Sequence, residues 1–457
     1  MPVVEYRGMD LPLRGPPPSP ASRAAEGKAA AREIGVGAVR RRHIIYVAGY
    51  EPRGARGYYR LLERECDRFR RIWPVSLKIK PAEFETEDIA RWLIEVRAPH
   101  WRVSTAYDFL RLDKFIQSDL AEPLIRQIPR SLGWVIGDLV SGAQLRIFRA
   151  SWRFGLHLLF VQSVLLFWLA FATAIGMTAG YVVTSRFGLS TPAGIVTSMV
   201  MALASFLALG PVARRFGAIQ IPSCWVTLRR FARGRATWLD QVIDIAAQHL
   251  MAVARANAAD EIVVVGHSAG CVIASAAVAR ALELDPELGR RGARLVLLTL
   301  GSVMPAVALH PAAQRMRDIV ARLAVEPALA WVDCQFRKDV MAFINFDPVE
   351  GIGVRAGARR RNPLTWRVPF KDMLSPEGYR RLRWKFFRVH FQYIMASERP
   401  CPYDYVLLVG GPMAIAEWAK KHSELTLSFI WDGMRDERGR IPSSPAAALS
   451  APASRAG

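Results

Sequence analysis

Cysteine and acidic residues are both scarce in this 457-residue chain, and each shortage excludes a class of protein. The five cysteines lie far apart with no CxxC pair, which argues against a zinc site and against a disulfide framework. We therefore expect free thiols in a reducing compartment. The sequence also lacks an HExxH motif, a phosphate-binding loop and clustered carboxylates, so we expect no bound metal and no cofactor.

The shortage of acidic residues leaves a strongly basic protein. Lys and Arg number 62 against 40 Asp and Glu, a formal net charge of +22. Such an excess is typical of nucleic-acid binders and of proteins held at an anionic membrane surface, and a GC-rich genome that replaces Lys by Arg would also add to it. Because no helix-turn-helix, zinc or single-strand-binding signature accompanies the charge, we expect no nucleic-acid partner.

Neither end of the chain has a sustained apolar period. Residues 1–41 are rich in Pro, Arg and Ala, and residues 435–457 are rich in Ser, Pro and Ala, so both segments are predicted to be disordered. Hydrophobic residues make up 51% of the whole chain, which excludes a disordered protein. A folded body is therefore predicted over residues 42–434.

Short apolar runs alternate with amphipathic stretches in this body. Residues 43–48 and 75–79 are predicted to be buried strands on either side of a helix over residues 55–72. Further strands are predicted at residues 261–265, 294–300 and 328–334, and further helices at residues 236–254, 274–284, 312–323 and 413–421. The alternation predicts an α/β fold with a mostly parallel sheet flanked by helices.

Two apolar runs without Asp, Glu, Lys or Arg interrupt this pattern, at residues 156–183 and 193–213. A helix needs about 20 apolar residues to cross the hydrocarbon core of a bilayer. The Ala, Gly and Ser of the second run suit close helix pairing in lipid. We expect a transmembrane hairpin over residues 149–216, which divides the α/β body into residues 42–148 and 217–434. The alternative is a buried hydrophobic hairpin inside a soluble protein.

Arginines on the two outer flanks of the hairpin set its expected orientation. Those before the first run are Arg146, Arg149 and Arg153, those after the second are Arg214 and Arg215, and the connecting loop offers only Arg186. The positive-inside bias places both outer flanks in the cytoplasm. We therefore expect a two-pass integral membrane protein with a cytoplasmic α/β body and the lipid bilayer as its partner.

The motif Gly266-His267-Ser268-Ala269-Gly270 lies between a predicted strand and a predicted helix. GxSxG alone is weak evidence, but a nucleophile elbow requires this strand-to-helix context. We predict that Ser268 is a nucleophile; the alternative is a structural Gly-rich turn. With this motif, the chain resembles an α/β-hydrolase of the lipase or esterase type over roughly residues 42–110 and 239–420.

The resemblance implies an eight-stranded, mostly parallel sheet and a triad in the chain order Ser, acid, His. The backbone N–H of Ala269, directly after the nucleophile, is predicted to donate to the oxyanion. The resemblance implies a second donor from the loop after the first strand, where the Tyr50 amide would point inward. An ordinary strand-ending turn at Gly49 is the alternative.

Chain order leaves His390 and His422 as candidates for the catalytic base. His422 lies among charges on a predicted solvated helix, so His390 is preferred; the alternative for His390 is a half-buried histidine in an aromatic cluster. His310 could line the pocket but precedes the favoured acids. His267 is adjacent to Ser268 and cannot reach it productively.

The acid is expected in the loop after the strand predicted at residues 328–334. Asp339 fits this place best. Asp333, within the strand, and Asp347, before a proline, remain alternatives. Its function would be to fix the imidazole tautomer and to stabilise the imidazolium.

Together these features predict a membrane-embedded serine hydrolase that cleaves an ester through an acyl-enzyme. A lipid-derived acyl ester is the preferred substrate, because the hairpin is inserted within the hydrolase and not at a terminus. The alternatives are an esterase of soluble substrates or a protein or thioester deacylase, and a catalytically silent membrane scaffold on a hydrolase fold.

Overall fold

The computed structural model describes residues 39–420 except residues 82, 85, 100, 236 and 237. The segments predicted to be disordered, 1–41 and 435–457, lie outside the described residues apart from residues 39–41, and His422 also lies outside them. The strands are β1 Arg41–Val47, β2 Ser76–Ile79, β3 Glu83–Phe84, β4 Ile89–Arg97, β5 Arg102–Leu110, β6 Glu261–His267, β7 Arg294–Leu300, β8 Leu329–Phe336 and β9 Leu364–Val368.

Helices lie between and after these strands. They are α1 Gly54–Ile72, α2 Asp113–Ala121, α3 Leu124–Val140, α4 Ala143–Ala150, α5 Trp152–Phe187, α6 Thr191–Arg215, α7 Gln220–Ala232, α8 Trp238–Ala256, α9 Gly270–Leu284, α10 Met304–Ala308, α11 Gln314–Val325, α12 Pro376–Leu382, α13 Phe386–Phe391, α14 Tyr405–Gly410 and α15 Ile415–Lys420. The predicted α/β alternation is confirmed.

The described strands form one mixed, mostly parallel sheet in the order β2-β4-β5-β1-β6-β7-β8-β9, and β3 pairs with β4 outside this order. Strand β1 pairs with β5 on one side and with β6 on the other, and β7, β8 and β9 follow β6 in order. All of these pairs are parallel. The edge formed by β2, β3, β4 and β5 is antiparallel, which the sequence patterns did not predict. A mostly parallel α/β sheet is therefore the architecture.

Helices cover the central strands on both faces of the sheet. Val263 and Val265 of β6 pack on the same face as Tyr58 of α1. Ile262 and Val264 of β6 pack on the opposite face with α9. Because both faces are buried, the central strands are continuous apolar runs rather than alternating ones.

The connections after the neighbouring strands β1 and β6 leave the sheet on opposite faces. The chain passes from β1 into α1 on one face, and from β6 into α9 on the other. In parallel α/β sheets such a divergence opens a crevice at the carboxyl ends of the two strands, and ligands bind there. The loop after β1 and the GxSxG motif after β6 both lie at this position.

Two helices are long and apolar enough to cross a membrane, namely α5 and α6. Their apolar windows have mean hydropathies of 2.2 and 2.0, and only 33% and 6% of those windows are buried. The exposure of α6 disagrees with a hairpin buried in a soluble core. The two helices pack closely through glycine: a Cβ on Gly176 would lie 2.3 Å from the Ser198 carbonyl oxygen.

Candidate active site

Ser268 has the strained backbone expected of a nucleophile elbow. Its φ is +56°, in the left-handed region that non-glycine residues rarely adopt. Its N–H donates to the Leu300 carbonyl at the end of β7, at 2.9 Å, which fixes the turn against the neighbouring strand. The side chain of Ser268 is half-buried, so it is reachable from outside.

The two glycines of the motif are required by close backbone approaches. A Cβ on Gly266 would lie 2.6 Å from the Cα of Cys271, where α9 turns back over β6. A Cβ on Gly270 would lie 2.2 Å from the Val47 carbonyl oxygen at the end of β1. Any larger residue at either position would push the helix off the sheet, so the spacing GxSxG follows from the packing of this turn.

The loop after β1 lies directly against the elbow. A Cβ on Gly49 would be 3.1 Å from the Ser268 Cβ and 3.6 Å from its Oγ. Among the described residues, no acceptor takes a hydrogen bond from the backbone N–H of Tyr50 or of Ala269. These are the two amides that the sequence predicted as oxyanion donors. The structure brings both loops together and leaves both amides available.

Tyr50 is fixed from two sides. Its carbonyl accepts a hydrogen bond from Gln220 Nε2 at 3.0 Å, and its hydroxyl donates to Asp119 Oδ2 at 3.1 Å. Burial, together with the nearby Asp119 carboxylate, raises the pKa of the Tyr50 phenol. The phenol therefore stays a neutral donor, and the Tyr50 backbone is held at the elbow.

His390 and Asp339 form a buried pair. The distance from His390 Nδ1 to Asp339 Oδ2 is 2.7 Å, and the two side chains are 3% and 0% exposed. An ionised carboxylate only accepts hydrogen bonds, so we assign the proton to Nδ1. His390 Nε2 is buried and has no hydrogen-bond partner among the described residues. The imidazole thus has a buried acceptor nitrogen, and Ser268 Oγ does not hydrogen-bond to it in this structure.

Contacts at the end of β7 place this imidazole near the elbow. A Cβ on Gly301 would lie 3.1 Å from His390 Cε1, and Gly301 has a φ of +55°. Gly301 follows Leu300, the residue that accepts the hydrogen bond from the Ser268 amide. Ser268 and His390 therefore flank the same β7 terminus, over a sequence separation of more than a hundred residues.

The two alternative acids are engaged elsewhere. Asp333 lies within β8, where its Oδ1 is 2.6 Å from the Thr299 hydroxyl. Asp347 forms an ion pair with Arg360, at 2.7 Å. Of the three carboxylates that the sequence left open, the structure brings only Asp339 into contact with His390.

His267 supports His390, a relationship that the sequence reasoning missed. Its Nε2 is 3.1 Å from the His390 carbonyl oxygen, and the two rings are 5.0 Å apart. Burial, with a smaller effect of His390, lowers the pKa of His267 to about 3. His267 is therefore neutral and donates to the backbone that carries the candidate base. The sequence feature that could have indicated this role is that His267 is adjacent to Ser268.

The first turns of α5 contact the loop that carries Asp339. Arg153 Nη1 donates to the Arg337 carbonyl at 3.0 Å, and the rings of Phe154 and Phe343 are 4.8 Å apart. His157, one turn further on, is near enough to Asp339 and His390 to interact with both electrostatically. The sequence contained no pattern that linked these two segments.

A narrow apolar cavity lies beside the elbow. Its walls come from the β1 loop, α2, α7, α8 and the start of α9, and its lining includes Gly49, Tyr50, Ile116, Cys224, Leu228, Trp238, Ala269 and Ile273. His310, a candidate lining residue from the sequence, does not belong to this lining. Its Nδ1 accepts from the Ala312 amide at 3.1 Å in a buried turn.

A histidine–carboxylate cluster lies at the start of β1, away from the elbow. His43 Nε2 and His249 Nε2 are 2.7 and 2.6 Å from Asp108 Oδ2. These ligand types suit a transition metal. However, Arg91 already donates to both Asp108 oxygens, at 2.5 and 2.7 Å, so a cation would meet a guanidinium beside it. The cluster is a candidate ion-pair network, which the sequence did not predict.

Comparisons with family models, with curated proteins and with solved structures give no match to this chain. The functional argument therefore depends on the geometry described above.

Proposed function

We propose that this protein is a membrane-embedded serine hydrolase that cleaves a lipid-borne ester through an acyl-enzyme. The observation that supports this best is the buried His390–Asp339 pair beside a serine with a positive φ at a strand-to-helix turn. Strain of this kind is maintained in proteins mainly at functional sites. The three residues also follow the chain order Ser, acid, His found in α/β-hydrolases.

In the proposed reaction, Ser268 Oγ attacks the ester carbonyl carbon and His390 Nε2 takes the serine proton. Asp339 keeps the proton of the ring on Nδ1 and stabilises the imidazolium. The amides of Ala269 and Tyr50 donate to the oxyanion. The C–O bond to the alcohol then breaks and His390 returns its proton to the alcohol. Water, activated by the same imidazole, releases the acid and restores the serine.

An α/β-hydrolase fold is part of the proposal. Eight strands in one mostly parallel order, an elbow after β6 and the acid after β8 are consistent with it. The crevice between β1 and β6 is where such sheets bind ligands.

We propose that α5 and α6 cross the membrane as a hairpin, with the α/β body on the cytoplasmic side. The arginines on the outer flanks support this orientation. A Leu189→Cys variant, in the loop between the helices, should react with an impermeant maleimide only from outside the cell. Leu284→Cys, on α9, should react only after permeabilisation. Reaction of both positions from the same side would contradict the hairpin.

The hairpin supports a lipid-borne substrate because its two ends contact the two halves of the site. The start of α5 packs on the Asp339 loop, and Gln220, beyond α6, holds Tyr50. An acyl chain leaving the bilayer beside α5 would meet the loop that carries Asp339. Rates on a long-chain ester in vesicles should therefore exceed those on a short soluble ester and on an S-acylated peptide.

Labelling with a fluorophosphonate tests the chemistry. Wild-type protein in detergent should be labelled, and Ser268→Ala should not. Ser275→Ala, a buried serine of α9, serves as the control and should be labelled normally. If the wild-type protein is not labelled, or if Ser268→Ala is labelled equally, the protein is not this kind of hydrolase.

A further inference from the structure

One exposed surface has no part in the proposed reaction. Residues 383–388, Arg-Trp-Lys-Phe-Phe-Arg, are six consecutive exposed residues that end two residues before the buried His390. The rings of Trp384, Phe386 and Phe387 are 70%, 44% and 54% exposed. Three large aromatic side chains are exposed to water within four positions. An exposed apolar surface of this kind is typical of an interaction site.

Cations surround these rings. The exposed basic residues of the segment are Arg380, Arg381, Arg383, Lys385 and Arg388. Glu377 pairs with Arg381 at 3.9 Å, and the other four cations form no ion pair with a described residue. The Arg383 guanidinium lies 5.6 Å from the centre of the Trp384 ring. We call residues 380–388 the basic–aromatic segment.

The segment is joined to the membrane hairpin through the candidate active site. Helix α13 carries both Phe386 and His390, and His390 contacts Asp339. The loop after Asp339 packs on Phe154, in the first turn of α5. The segment is therefore connected, through His390 and the loop of Asp339, to the end of the hairpin where the membrane surface is expected.

A membrane surface matches this composition. Aromatic rings prefer the headgroup level of a bilayer, and Lys and Arg attract anionic lipids there. We propose that the basic–aromatic segment docks on an anionic phospholipid surface and holds the His390 end of the site against the bilayer. The functional part of this proposal rests on the proposed membrane hydrolase. A nucleic acid would also contact cations and rings, but the neighbouring hairpin favours the bilayer.

Spin labels at single positions test the docking without any turnover. The full chain, carrying Ser268→Ala, is placed in nanodiscs of phosphatidylcholine with or without phosphatidylglycerol. A label on Phe386→Cys should become accessible to oxygen and inaccessible to a water-soluble nickel complex when phosphatidylglycerol is present. Leu284→Cys, similarly exposed at the far end of α9, is the control and should stay accessible to nickel.

Charge removal tests the lipid preference. Each Lys or Arg near an anionic surface contributes about a fivefold factor in association. Arg383→Gln and Lys385→Gln should each lower, by about that factor, the ratio of buried to exposed label on Phe386→Cys at a fixed phosphatidylglycerol content. Arg255→Gln, an exposed arginine at the end of α8, should have no effect.

The outcomes separate the possible occupants. A Phe386→Cys label that stays accessible to nickel in both kinds of nanodisc would overturn the docking proposal. Binding of an oligonucleotide that is lost in Arg383→Gln, with the label still in water, would assign the segment to nucleic acid instead. Because these measurements use Ser268→Ala protein, their failure leaves the hydrolase proposal unaffected, and failed fluorophosphonate labelling leaves the docking result unaffected.

Discussion

Gln220 donates a hydrogen bond from Nε2 to the carbonyl oxygen of Tyr50, at 3.0 Å. Gln220 begins α7, five residues after α6 ends, and Tyr50 carries a proposed oxyanion amide. The bond therefore links the segment after the second apolar helix to the loop that faces Ser268. At the other end of the hairpin, Phe154 of α5 packs on Phe343, four residues after Asp339.

Gln220→Leu removes the donor that holds the Tyr50 carbonyl. A hydrogen bond of this kind contributes about 1 kcal/mol, so we expect kcat to fall about three- to tenfold with KM nearly unchanged. Steady-state kinetics on an ester in vesicles measure both constants. Gln314→Leu, an exposed glutamine on α11, is the control. A rise in KM alone would mean that Gln220 contacts substrate rather than positioning Tyr50.

Asp339→Asn tests the assignment of the acid. An asparagine at this position would favour the wrong imidazole tautomer, and such a change lowers kcat about 10⁴-fold in serine hydrolases. Asp347→Asn removes a carboxylate that is paired with Arg360 instead, so it should retain nearly full turnover. Rates for the two variants should be compared at equal concentrations of folded protein. Equal losses would remove the basis for choosing Asp339.

Gly270→Ala tests the packing of the elbow. The added Cβ would lie 2.2 Å from the Val47 carbonyl oxygen, a contact that neither backbone can relieve. We expect loss of folded protein or a strongly lowered melting temperature. Gly133→Ala is the matched control, because its Cβ would have no atom within 4 Å apart from its own turn of helix α3. That variant should be stabilised by up to about 1 kcal/mol.

His267 should make stability depend on pH. Burial lowers its pKa from 6.5 to about 3, so between these values the unfolded chain takes up a proton that the folded chain does not. This group therefore does not affect the free energy of unfolding above pH 6.5. As the pH falls from 6.5 towards 3, it lowers the free energy of unfolding by about 1.4 kcal/mol per pH unit. Melting temperatures from pH 7 to pH 4 should fall less steeply in His267→Gln, which retains a donor for the His390 carbonyl. An unchanged slope would show that His267 is not a buried neutral imidazole.

Local patterns were sufficient to predict the strand and the helix on either side of the turn that carries Ser268. The apolar run of β6, the two glycines and the small residues of α9 are neighbours in sequence, and the structure confirms the strand and the helix there. Helix α1 and the two long apolar helices were also predicted, because their patterns are local in sequence as well. His390 and Asp339 were proposed from chain order, and the structure brings them together.

Contacts between distant segments were not predictable from these patterns. The antiparallel pairing of β4 with β5 depends on which strands meet, and period alone does not specify that. The pairing of Phe154 with Phe343 and the two histidines on Asp108 join segments separated by up to about two hundred residues. The sequence of one segment in such a pair contains no pattern that identifies the other segment.

Locating the covalent intermediate tests the central claim most directly. Wild-type protein in nanodiscs is mixed with a long-chain ester, quenched in acid within the first turnover and digested, and its peptides are analysed by mass spectrometry. We predict an acyl adduct on the peptide that contains Ser268, absent from Ser268→Ala and accumulating far more slowly in Asp339→Asn. An adduct on a different residue, or ester hydrolysis that continues in Ser268→Ala, would contradict the account.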